Sequence, residues 1–143
     1  MDVFVFDPVV HTLTTHMSSS ARSSVIAAGL LGFTGVGLGA FGAHALKDTL
    51  TANGTLSVWQ TAVLYQLVHA GALLGLAGWS EGWPNVRWAA WCWMAGVVLF
   101  SGSLYGLALD GPKILGPITP LGGLALLLGW LLLGWNAFRQ PKA

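Results

Sequence analysis

Charge is what this sequence has least of. Of 143 residues only 6 are Lys or Arg and 5 are Asp or Glu, 8% in all, against about 25% in ordinary soluble domains. So few charges cannot cover a globular surface with water-compatible side chains, and the outer surface must face lipid. The net charge of +1 excludes a basic field for nucleic acid and an acidic tail. Cysteine is reduced to Cys92, which excludes an internal disulfide and any multi-cysteine metal cluster. Cys92 lies in the apolar "WCWMAG" and reads as a small inert hydrophobe.

What is present is apolar: 55% of the chain, with a mean hydropathy of +0.69. The charges leave four uncharged intervals, Ser23 to Leu46, Thr49 to Ser80, Trp88 to Leu109 and Ile114 to Phe138. Crossing the hydrocarbon core takes about 20 apolar residues. The second interval opens with the polar "TLTANGTLS", where Asn53-Gly54 signals a turn and Ser57 can cap a helix. These limits predict an all-α membrane protein, an up-down bundle of four spans at about 23–46, 58–79, 88–109 and 114–138, behind an N-terminal extension of residues 1–21. The connections "SEGWPNVR" and "DGPK" are too short to hold a domain and make neighbouring spans antiparallel.

Arg22, Arg87, Arg139 and Lys142 then share one side, and Lys47 and Lys113 the other, which predicts cytoplasmic termini. Trp79, Trp83 and Trp88 crowd the first side as an interfacial belt. Residues 1–21 carry Asp2 and Asp7 and no basic n-region, so they are not a secretory signal, and their apolar stretch is too short to span. The extension is expected to be held, by its own bundle or by a partner.

Glycine, at 20 residues, is patterned. Gly29, Gly32, Gly35, Gly39 and Gly42 recur at three- and four-residue spacings on one side of the first span. Gly35/Gly39, Gly71/Gly75 and Gly102/Gly106 are small-residue pairs of the kind that lets helices approach closely in lipid. They serve the chain's own bundle or dock another subunit, and the first span favours the former.

Polar residues inside a span need partners. "WQTAVLYQLVHA" places Tyr65, Gln66 and His69 on one face of the second span; the third adds Ser101, Ser103 and Tyr105. In the fourth, Thr119 is followed by Pro120, which removes the donor to the carbonyl of Gly116. A structural hydrogen-bond network is the favoured reading, and a proton or solute path around His69 the alternative, since no span contains a carboxylate. His44, at the end of the first span, reads as a helix-end anchor bonded to a loop carbonyl or the next helix. His44 and His69 differ in depth by about 13 Å, too far to share one haem iron. Ser101 and Ser103 have no assignable acid–base partner, so no catalytic site, cofactor or metal is expected.

"LGAFGAHALK", "WQTAVLYQLVHA", "LFSGSLYGLAL" and "LGPITPLGGLALLLGWLLLGW", in this order over about Ser24 to Trp135, resemble the family known as domain of unknown function 423, which includes the transmembrane protein 256-like proteins. The resemblance implies a four-helix integral membrane protein, in bacteria of the inner membrane, and brings no established reaction. Its motifs fall on Gly39, Phe41, Gly42, His44, Gln66, His69, Ser101, Gly102, Ser103, Tyr105, Pro117, Thr119, Pro120 and Gly122. Residues 1–21 lie outside it. With no catalytic apparatus in view, this points to an accessory or scaffold subunit of a larger, energy-transducing membrane complex, in contact with lipids and other membrane subunits.

Overall fold

The computed structural model describes residues 17–79 and 86–139. The expected anchoring of the extension, Trp83 and Lys142 therefore lie outside the described residues.

Five helices follow in order: α1 (Ser19–Ala43), α2 (Lys47–Ala52), α3 (Leu56–Trp79), α4 (Val86–Ala108) and α5 (Leu115–Arg139). All but α2 are long and apolar enough to cross a membrane. Phe33 is 82% exposed and Leu131 69%. Side chains of that size, turned outward along whole helices, require lipid as their solvent.

The ends follow local chemistry. Helix α1 starts at Ser19, inside the segment read as extension, because the Ser18 hydroxyl accepts from the Ala21 N–H and caps it. It stops at Ala43, before the expected Leu46, where the Leu46 N–H turns back to the Phe41 carbonyl at 2.8 Å. The first four residues of the polar stretch, with Lys47 and Asp48 before them, form the short helix α2. Gly54, at φ +67°, ends it in the left-handed conformation, and the Thr55 N–H closes onto the Leu50 carbonyl at 2.8 Å. Ser57 lies within α3, not at its cap. Asp110 ends α4 in the same way at φ +57°, with the Gly111 N–H on the Gly106 carbonyl at 2.8 Å.

The spanning helices pack in a row: α1 on α3, α3 on α4, α4 on α5. Helices α3 and α4 are the inner pair and α1 and α5 the outer members, so the up-down bundle stays open between α3 and α5. Leu50 of α2 is fully buried with Trp59 and Ala108 beneath the end where α3 begins and α4 stops. The Thr55 hydroxyl donates to the Ala108 carbonyl at 2.8 Å and ties that end together. At the opposite end the guanidinium of Arg87 lies 5.4 Å from the Trp88 ring, and that of Arg139 4.8 Å from the Trp135 ring. Such pairs suit the head-group layer.

Candidate functional site

Glycine fixes how closely the helices approach. On α1, a Cβ at Gly35 would meet Leu67 and the Gln66 amide, one at Gly39 would touch Val63, and one at Gly42 would collide with the Trp59 indole. These three glycines therefore serve the chain's own α1–α3 contact. The space left at Gly42 admits Trp59, whose Nε1–H donates to the Leu38 carbonyl at 2.9 Å. By contrast, among the described residues no neighbouring element comes within 4 Å of such a Cβ at Gly29, Gly32, Gly71, Gly75 or Gly102. Only Gly106 of the second and third glycine pairs packs against anything, the Leu115 side chain. Equally tight approaches fall at glycines outside the three pairs. A Cβ at Gly122 would strike the backbone of Leu99 and Phe100, one at Gly96 would strike Leu126, and one at Gly129 the Trp93 indole.

The polar residues form three separate groups, not one network. Gln66, buried in α3, uses both amide hydrogens on α1: Nε2 donates to the Leu31 carbonyl at 2.9 Å and to Thr34 Oγ1 at 2.8 Å. Its Oε1 accepts from the Tyr105 hydroxyl of α4 at 2.9 Å. A carbonyl can only accept, so the Leu31 contact fixes which end of the amide faces α1. Gln66 thus joins three helices. Thr34, which sequence reasoning missed, is the one hydroxyl residue between Ser24 and His44, and that isolation was the available signal.

His69, also buried, joins α3 to α5. The Trp130 Nε1–H donates to His69 Nε2 at 3.2 Å, so Nε2 carries the lone pair and Nδ1 the hydrogen, which donates to the Tyr65 carbonyl at 2.7 Å. Both ring nitrogens are satisfied by a neutral imidazole. Trp130 was missed as well. An indole about midway along a span, away from the interfacial belts, is its signature.

The third group lies between α4 and α5. Ser103 Oγ and Thr119 Oγ1 are 2.7 Å apart, with the Phe100 carbonyl 2.9 Å from Ser103 and the Leu115 carbonyl 3.1 Å from Thr119, so the two hydroxyl hydrogens serve two of these three contacts at a time. Pro120 sits inside α5 without ending it. The Thr119 hydroxyl goes to Leu115, one residue before the carbonyl that Pro120 leaves without its usual donor. Ser101 is buried with no partner for its Oγ among the described residues, as is the indole nitrogen of Trp93. Neither serine has a histidine or carboxylate beside it, and no three His, Cys, Asp or Glu side chains gather among the described residues. Cys92 is a half-buried free thiol within α4.

Two expected features differ. Tyr65 does not share the burial of Gln66 and His69: it is 41% exposed, with its ring 4.6 Å from that of Phe100. His44 anchors its helix end through the backbone, its N–H donating to the Ala40 carbonyl at 3.1 Å, while its ring is exposed and makes no hydrogen bond among the described residues.

Between α3 and α5, where the row is open, lies a cleft of about 480 Å³. Tyr65 and His69 of α3, Phe100 of α4 and Pro120, Gly123 and Trp130 of α5 line it.

The family described as protein of unknown function (DUF423) matches residues 38–123. A UPF0382 membrane protein of Staphylococcus saprophyticus is 44% identical over 117 residues, covering 80% of this chain and 96% of that relative. One of Staphylococcus haemolyticus is 46% identical over 117 residues, covering 80% of this chain and 94% of the relative. The UPF0382 membrane protein YwdK of Bacillus subtilis is 46% identical over 101 residues, 68% of this chain and 81% of its own length. No solved structure matches.

Proposed function

This chain belongs to the DUF423 family of small membrane proteins, and from that premise we propose that it is a non-catalytic accessory or scaffold subunit of a larger assembly in the bacterial inner membrane. The observation that carries this reading is an unused close-packing surface. Gly29 and Gly32 of α1 and Gly71 of α3 line one shallow groove, and a Cβ added at any of them meets nothing within 4 Å among the described residues. Small residues at helical spacing are what a neighbouring membrane helix packs against. The described helices use Gly35, Gly39 and Gly42 in this way, and none of the described residues fills that groove. A translocation path around His69 is the weaker reading, because both ring nitrogens are already bonded within the protein and the described spans carry no carboxylate between their ends.

Purified from native membranes in mild detergent, the 15.0 kDa chain should co-migrate with other subunits. Gly32→Leu should abolish co-migration and leave the helical content unchanged. Migration of the wild-type chain as a lone monomer would sink the reading.

In the same reading both termini face the cytoplasm, supported by Arg22, Arg87, Arg139 and Lys142 against Lys47 and Lys113. In a Cys92→Ser background, Asn53→Cys should react with an impermeant maleimide added to intact spheroplasts. Labelling only in inverted vesicles would reverse the orientation.

A further inference from the structure

We propose that the cleft between α3 and α5 binds the ring of a membrane-soluble quinone, with the Tyr65 hydroxyl donating to a ring carbonyl. The inference stands apart from the accessory reading, since it concerns a small molecule and needs no other subunit.

Depth is the first ground. Tyr65 lies nine residues after Leu56 and fourteen before Trp79, roughly 14 Å and 21 Å along the helix from its two ends. The hydrocarbon core is about 30 Å thick, so the phenol sits well inside it. A hydroxyl left without a partner in such a medium costs several kcal/mol. Yet Tyr65 Oη has no hydrogen bond among the described residues, while the other hydrogen-bonding side chains in the lining, His69 and Trp130, are bonded to each other. Among the hydrogen-bonding side chains of the lining, the one group left over is therefore a donor, the Tyr65 hydroxyl.

The walls are the second ground. Tyr65 and Phe100 pack with ring centroids 4.6 Å apart, and Trp130 stands 6.0 Å from the His69 ring. Gly123 also lines the cleft: a Cβ there would rest on the Phe100 ring at 3.7 Å, so a larger side chain would take up space in it. A volume of about 480 Å³ is ample for a one- or two-ring head group.

These features together select the ligand class. The ester carbonyls of phospholipids stay in the interfacial layer, and a purely hydrocarbon pigment offers no acceptor. A quinone is flat, uncharged and soluble in the core, and its carbonyl accepts from a phenol. Its isoprenoid tail can leave between α3 and α5 into lipid, where Leu124 and Leu127 continue the apolar lining.

The test uses the full chain in detergent micelles, with quenching of tryptophan fluorescence as readout. The probes are menadione and 2-methylnaphthalene, which share a ring skeleton and differ in the two carbonyls. Wild type should bind menadione about ten-fold more tightly than 2-methylnaphthalene, the worth of one hydrogen bond in a dry site. Tyr65→Phe should erase that difference and leave 2-methylnaphthalene unaffected. Gly123→Leu should fill the cleft and weaken both probes by more than ten-fold, and it decides the matter alone if Tyr65→Phe fails to fold. Equal affinity for the two probes in wild type, or menadione binding unchanged in either variant, overturns the proposal. So does a chain that binds no menadione but forms cross-linked dimers lost on Tyr65→Phe, because a second protein helix would then be the occupant.

Discussion

Gly122→Ala should destabilise the protein by about 3 kcal/mol, and Gly122→Leu should yield no folded product. A Cβ at this position meets the backbone of Leu99 and Phe100, and main chain cannot swing aside as a flexible side chain can. Relief requires α4 and α5 to separate, which loosens Gly96 against Leu126 and Gly129 against Trp93 along the same contact. Overpacking in a close-packed interior costs about 1–3 kcal/mol, and backbone as the obstacle puts this case at the upper end. Gly134, on the same helix, has open space around its Cβ direction, so Gly134→Ala should stay within about 0.5 kcal/mol of wild type. Unfolding in mixed micelles, followed by circular dichroism, compares the two. A Gly122→Ala protein as stable as Gly134→Ala would mean that α4 and α5 do not approach as described.

Gln66→Leu should cost about 2 kcal/mol although the substitute is apolar and of similar size. It removes three hydrogen bonds, each worth about 0.6 kcal/mol inside a membrane protein, and strands the Tyr105 hydroxyl. Tyr105→Phe should cost about a third as much. In the double variant the two losses should fall short of additivity by the energy of their shared bond, about 0.6 kcal/mol. Additive losses would show that Tyr105 and Gln66 act independently. A neutral Gln66→Leu would show that the buried amide adds nothing to stability.

The four spans were legible because length and missing charge suffice to define them, and lipid leaves a chain few alternatives to helix. The glycine face of α1 was legible over Gly35, Gly39 and Gly42, where the three- and four-residue spacing coincides with a real contact. At Gly71/Gly75 and at Gly102 the same spacing meets no neighbour among the described residues. A spacing motif marks a surface fit for close approach and does not say whether a neighbour is there. The α4–α5 contact escaped it because its glycines lie singly, Gly96 on one helix and Gly122 and Gly129 seven apart on the other. In the polar site, burial of Gln66 and His69 follows from their chemistry, but their partners do not. Leu31 contributes a carbonyl, which every residue has, and Trp130 comes from a helix 61 positions away. The turning of Tyr65 away from Gln66, its immediate neighbour, is set by where α4 and α5 lie. Helix α2 was hidden because six residues are too few to show a period.

Glycine contacts hold α1 to α3 and α4 to α5, whereas hydrogen bonds from Thr55, Tyr105 and Trp130 cross between these two pairs. A ribosome delivers the first pair before the second exists, and this division of labour suits that order. While α4 and α5 are still being made, Gln66 already holds Leu31 and Thr34, and His69 already holds the Tyr65 carbonyl. Only one acceptor site on each waits for a later helix. The nascent first hairpin can therefore leave the insertion machinery with its costliest donors satisfied, and the arrival of Tyr105 and Trp130 then sets the register in which the second hairpin docks.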